Sequence, residues 1–140
     1  MTATEAATTV PWPEPPIAAE VLARVDALGP GWRERQRGLD EAVEFPHENF
    51  AEAKAAGLHA LCVPTEYGGA GFWLPGTYGP WYEVLERMAR WETNTAQLIQ
   101  VHNHAAGIIA WHSTPQQRDH FMPDRKSTRL NSSPALNSYA

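Results

Sequence analysis

Inside the apolar stretch LIQVHNHAAGII stands a cluster of side chains able to bind ligands or move protons: Gln100, His102, Asn103 and His104. Metal ligation is the first chemistry such a cluster suggests. On a helix, residues two apart point about 200 degrees from each other, so His102 and His104 would not close on one ion without unwinding, and no HExxH spacing follows to rescue the idea. Residues four apart sit one above the other, so Gln100 and His104 share a face that also carries Gln97. Ala96, Asn103, Gly107 and Ala110 lie beside that face and are small enough to let a ligand or another helix come close. His47, His59, His112 and His120 read as surface or locally hydrogen-bonding residues. Cys62, set in the apolar run LHALCV, reads as an inert packing thiol with a raised pKa. No paired carboxylates and no Ser-His-Asp arrangement emerge, and Glu83, Glu86, Arg87 and Arg90 read as solvated charges in intrahelical pairs.

These side chains need a scaffold, and the hydrophobic periodicity is helical throughout. PWPEPP closes an N-terminal arm, because each proline removes a backbone donor and biases its predecessor away from helix, so residues 1–16 are expected to be extended or disordered. Ile17, Val21, Val25 and Leu28 then form one apolar stripe, which Gly29-Pro30-Gly31 should interrupt before Trp32, Leu39 and Val43 resume it. Pro46 opens a short helix with Phe50 and Ala53 inward, and Gly57 supplies its left-handed cap with Leu58 behind it. LHALCV leads into Pro64 with an extended approach, and Tyr67-Gly68-Gly69-Ala70-Gly71 makes a tight turn. Those glycines run into Phe72-Trp73-Leu74-Pro75 and not into a helix N-terminus, which argues for a connector and against a phosphate cradle.

Gly79-Pro80 starts a longer helix with Trp81, Leu85 and Met88 buried, and Thr93-Asn94-Thr95 breaks or recaps it. The polar cluster belongs to a second long helix from about Thr95 to His112. Leu98, Val101, Ala105 and Ile108 mark one face of it and Ile99, Ala106 and Ile109 lie beside them, a width that predicts a central helix. Thr114-Pro115-Gln116-Gln117 has capping-box spacing and begins another helix. Trp73, Trp81, Trp91 and Trp111 are assigned to core and interface packing.

With 140 residues and 43% hydrophobic content, the chain is long and apolar enough for one globular domain. A formal net charge of −5, with basic residues scattered among acids, speaks against nucleic acid as a partner. One cysteine leaves no partner for an intrachain disulfide, and neither a secretory leader nor a membrane-spanning apolar run is present. The expectation is a cytoplasmic protein without a membrane partner.

FPHENFAEAKAAGLHALCVPTEYGGAG from Phe45 to Gly71, then TYGPWYEVLERMARWETNTAQLIQVHNHAAGII and Gln116-Gln117-Arg118, resembles the N-terminal domain of the acyl-CoA dehydrogenase family over roughly two-thirds of the chain. The resemblance implies an all-α fold of orthogonally packed helices with a Gly-rich connector, spanning residues 17–123. It also implies an FAD-dependent, usually homotetrameric parent that oxidises acyl-CoA thioesters. There a carboxylate base takes the proton α to the carbonyl while the β-hydrogen leaves as hydride to the flavin. In that family the second long helix is one wall of the acyl pocket, which would place Ala96, Gln97, Gln100, Val101 and His104 on or near substrate. The competing reading of Gln100, Asn103 and His104 is that they are satisfied packing or subunit-contact polars.

DRKSTRLNSS, from Asp124 to Ser133, resembles a translated sequencing adapter. Residues 124–140 are therefore expected to be a non-native tail on a sequence cut before the base and the flavin contacts, leaving a fragment that is inactive alone and holds flavin weakly at best; a Ser/Asn-rich basic linker is the other reading. Two further functions stay open: a fragment of a flavin-dependent monooxygenase of the same fold, similar to dibenzothiophene monooxygenase, and a stand-alone helical interaction module.

Overall fold

The computed structural model describes residues 15–72 and 78–126, and the regular structure among them is helical, without a strand. Five α-helices follow in order: α1 (Pro15–Ala42), α2 (His47–Ala55), α3 (Tyr78–Trp91), α4 (Thr93–His112) and α5 (Pro115–Lys126). The expected all-α class is what the chain adopts. Residues 1–14, 73–77 and 127–140 lie outside the described residues, so the arm, the Trp73-Leu74-Pro75 end of the connector and the tail beyond Lys126 are not characterised, nor is the side chain of Ile17.

The first difference from expectation lies in α1, which does not break at Gly29-Pro30-Gly31 but runs unbroken past them, with Pro15 and Pro16 already in its first turn. Proline inside a helix removes one backbone hydrogen bond. Tertiary packing outweighs that loss here. Gly29 is buried against the Trp91 indole, where a Cβ would collide with the ring. The same indole donates to Asp26 Oδ1 at 3.1 Å and lies under the Arg33 guanidinium at 5.6 Å. Arg87 completes the clasp by reaching Asp26 Oδ2 at 2.5 Å. Arg87 therefore serves an interhelical pair and not the intrahelical one expected of it, whereas Arg90 does pair along its own helix with Glu86.

α1 ends on Val43, which has φ 55. The amide of Glu44 donates to the Leu39 carbonyl at 3.2 Å and that of Val43 to the Asp40 carbonyl at 3.4 Å, the paired bonds of a Schellman cap. A β-branched residue in the left-handed region is strained, and Val43 is 90% exposed, so no packing compensates. Val43→Gly is expected to raise stability by about 1 kcal/mol, the relief of the left-handed strain less the extra freedom glycine gives the unfolded chain. A urea midpoint that falls in the variant would refute this.

Gly57 (φ 78) ends α2 as expected, with Leu58 buried behind it. Leu58–Ala60 then coil into one 3-10 turn in place of an extended approach to Pro64, and Thr65–Tyr67 form a second such turn. The Gly-rich turn folds back on this segment: Gly69 donates to the Pro64 carbonyl, Ala70 to that of Ala60, Gly71 to that of Val63 and Phe72 to that of Leu61. A Cβ on Gly69 would strike the Val63 carbonyl, which is the physical demand for glycine there.

Val21, Val25 and Trp32 of α1, Phe50 and Ala53 of α2, Trp81, Val84 and Met88 of α3, and Ala96 and Ile99 of α4 share one core with Leu58, Leu61, Cys62 and Phe72. Leu85, expected in the buried stripe of α3, sits at its edge while Val84 takes the interior position. α5 docks separately, through Met122 against Ala60, Val63 and Ala106. Its start is the reciprocal capping box expected from the sequence, with Gln117 N to Thr114 Oγ1 at 3.3 Å and Thr114 N to Gln117 Oε1 at 2.9 Å.

Candidate functional site

Two buried polar systems fix the position of α4. At its start Glu92, in extended conformation and 2% exposed, accepts from the amides of Asn94 at 2.8 Å and Thr95 at 2.6 Å and from the Thr95 hydroxyl at 2.5 Å. Asn49 Nδ2 donates to that hydroxyl at 2.9 Å, Arg35 Nε reaches Asn49 Oδ1 at 2.7 Å, and Arg35 and Trp32 both converge on Glu52. One continuous relay thus joins α1, α2 and the first turn of α4. A carboxylate at this end is also favoured by the helix dipole.

Halfway along, Asn103 is fully buried and all its polar atoms are used: Oδ1 accepts from the Cys62 amide at 2.9 Å, and Nδ2 donates to the carbonyls of Leu58 at 2.9 Å and Ile99 at 3.0 Å. For this residue the packing reading holds. His102 turns the same way, 8% exposed, with its ring 6.0 Å from that of His59. His59 is itself 7% exposed, so its placement among surface histidines is corrected, while His47, His112 and His120 do lie at the surface. Cys62 is buried as expected, and desolvation pushes its thiol up to about 12.

The face of α4 that meets the domain is made of Thr95, Ala96, Ile99, His102, Asn103, Ala106 and Gly107. The expected inward row of Leu98, Val101, Ala105 and Ile108 is therefore corrected. Val101 is 54% and Ile108 43% exposed, with Leu98 and Ala105 half-buried. Small residues let the 3-10 turn come close enough for Asn103 to bond its backbone, and the larger apolar side chains are left outside.

The outer face of α4 carries Gln97, Val101 and His104 in the open with Gln100 at its edge, and continues through Ile108 and Trp111, the latter 52% exposed. Four of the five residues singled out from the sequence, Gln97, Gln100, Val101 and His104, are brought together there. Ala96 is not: it is 2% exposed within the core on the opposite side. An apolar stripe open to solvent on a helix whose other face is fully packed marks a surface built to be covered.

Next to the C-terminal end of this face is a cavity of about 270 Å³ lined by Cys62, Pro64, Glu66, Gly71, Ala110, Trp111 and Arg118. Arg118 Nη1 is held by the Ala110 carbonyl at 3.0 Å, closing α5 onto the end of α4. Tyr67 reaches Asp119 at 2.5 Å, and that hydrogen bond, with burial and the carboxylate's charge adding to it, raises the phenol's pKa. A second hollow of about 420 Å³ runs past Arg24, Gly57, His59 and the Gly68-Gly69 turn. The amides of Gly68, Gly69, Ala70 and Gly71 all donate to carbonyls of their own loop, so the donors a phosphate cradle would need are already engaged. Among the described residues no helix is long and apolar enough to cross a membrane.

Glu92 and the buried orientation of Asn103 were not anticipated. The signal available was the spacing of small residues, Ala96, Ala106 and Gly107, which marks a close-packed face better than the row of large aliphatics does.

In comparison with known proteins, the acyl-CoA dehydrogenase N-terminal domain family matches residues 28–127. Among curated proteins the chain is similar to a mitochondrial isobutyryl-CoA dehydrogenase of Dictyostelium discoideum, 29% identical over 85 residues. That alignment covers 60% of this chain and 19% of the relative, so the chain spans about a fifth of the length of the protein it resembles. No solved structure matches it. With the helical fold and the family match over most of its length in agreement, the chain belongs to the acyl-CoA dehydrogenase family, as an N-terminal domain.

Proposed function

We propose that this domain supplies one wall of the acyl pocket in an FAD-dependent acyl-CoA dehydrogenase, through Gln97, Gln100, Val101 and His104 on the outer face of α4. The observation that carries the reading is the exposed face itself. A helix held this firmly by Glu92 and Asn103, with aliphatic and polar side chains aligned on its open side, is suited to receive a chain or another domain. Ala96, in the core, takes no part. The reaction proposed for the parent removes two hydrogens from the α and β carbons of an acyl thioester, as a proton and a hydride, with FAD as the acceptor when bound. The engaged donors of the glycine turn do not fit the flavin's diphosphate, so the flavin and the base are proposed to sit in the rest of the parent. The relative's name supports a short branched acyl thioester as one substrate to try.

The test is to express the full-length protein that carries this domain beside the 140-residue chain, and to follow flavin absorbance and reduction of an artificial electron acceptor by isobutyryl-CoA and straight-chain acyl-CoAs. The full-length protein is expected to be yellow and active, the 140-residue chain colourless and inactive. A colourless full-length protein that reduces no acceptor would sink the proposal, and oxygen consumption with an oxygenated product would move the chain to the monooxygenase reading.

A further inference from the structure

Resting on the pocket-wall reading, we infer that the acyl chain accepted against α4 carries a hydrogen-bonding oxygen, as a hydroxyl, oxo or carboxyl substituent, and is not a plain alkyl chain. The outer face is divided along its length. Gln97 and Gln100, with His104 continuing the row, occupy its N-terminal half, and Ile108 and Trp111 its C-terminal half. From Gln97 to His104 the helix rises about 10 Å, the length of several methylene groups. Each glutamine brings two N–H donors and a carbonyl acceptor, and both lie on the side open to solvent, one exposed and one at the edge.

Closing that half of the wall over hydrocarbon would strip the amides of water and return nothing. Closing it over a chain bearing oxygen would replace the lost water bonds. The asymmetry is large: a pocket discriminates weakly over one methylene but strongly against a ligand that leaves its own polar groups unpaired. The aliphatic and aromatic half, Ile108 with Trp111, suits the unsubstituted stretch of the same chain.

The experiment compares hexanoyl-CoA, ω-hydroxyhexanoyl-CoA and adipoyl-CoA as substrates of the full-length protein, with Gln97→Leu and Gln100→Leu variants of it. The oxygen-bearing chains are expected to have kcat/KM at least about tenfold above hexanoyl-CoA, mostly through KM, and the leucine variants to erase that preference while leaving hexanoyl-CoA turnover equal or better. Gln100→Asn, which keeps the amide, is expected to retain part of the preference. Preference for hexanoyl-CoA in the wild type, or a substrate ratio that the leucine variants do not move, overturns this inference alone. Absence of turnover with every acyl-CoA overturns it together with the pocket-wall reading. Thermal melts of the variants within a few degrees of wild type exclude a loss of fold as the cause.

Discussion

Asn103→Leu is expected to cost about 3–4 kcal/mol of folding stability, a large share of the 5–15 kcal/mol available to a domain of this kind. Leucine nearly matches asparagine in size, so the loss is not one of volume. It arises because the Cys62 amide and the Leu58 carbonyl each lose their partner in a fully buried site, while the Ile99 carbonyl remains within the helical ladder. Asn103→Ala is expected to cost less, about 2 kcal/mol, because the smaller side chain leaves space in which a water can bridge the two orphaned groups. The usual ranking of core substitutions, in which truncation to alanine is worst, is thereby inverted. Urea titrations of the two variants of the 140-residue chain test it directly. Leucine milder than alanine would mean that packing volume, not hydrogen bonding, holds α4 to the turn beneath it. Hydrogen exchange at the Cys62 amide offers an independent reading, since that proton is expected to lose protection in both variants.

The number and type of helices were legible because periodicity and caps are local properties. The Thr114–Gln117 capping box and the left-handed Gly57 both formed as their residue types require. What failed depended on contacts distant in sequence. Gly29-Pro30-Gly31 resembles a break until Trp91, 62 positions away from Gly29, is found resting on that glycine. Arg87 suits an intrahelical pair until Asp26 arrives from α1. The orientation of α4 was misjudged for a related reason. Counting large aliphatics favours the Leu98-Val101-Ala105-Ile108 row, whereas close approach favours the side with alanine, glycine and one asparagine that can satisfy a neighbouring backbone. The misjudged row is informative in itself, since apolar side chains kept outside by a well-packed helix are what a covered wall requires. Gln97, Gln100, Val101 and His104 were legible as a group because helical spacing alone places them together; Ala96 was not, because its burial depends on partners in other helices.

Glu92→Ala is expected to cost about 2–3 kcal/mol, more than an ordinary helix cap, and the reason lies in which donors water can reach. Asn94 is exposed, so solvent replaces the carboxylate at its amide with little loss. Thr95 is fully buried, and both its amide and its hydroxyl point at Glu92 Oε2. Removing the carboxylate strands the amide and frees the hydroxyl to turn, which in turn loosens the Asn49 contact that ties α2 to α4. Thr95→Val, by contrast, removes the hydroxyl and leaves the amide bonded, so its cost is expected to be about 1–2 kcal/mol. If the relay acts as one unit, the double variant Glu92→Ala/Thr95→Val is expected to lose less than the sum of the two, with a coupling of about 1 kcal/mol in a double-mutant cycle. Strict additivity would reduce Glu92 to a local cap. It would also leave Arg35, Asn49 and Glu52 without a share in positioning the outer face of α4, although they bridge the three helices. Glu92→Gln separates charge from geometry: its amide keeps one acceptor but sets an N–H₂ group against a donor, so a cost close to that of alanine is expected.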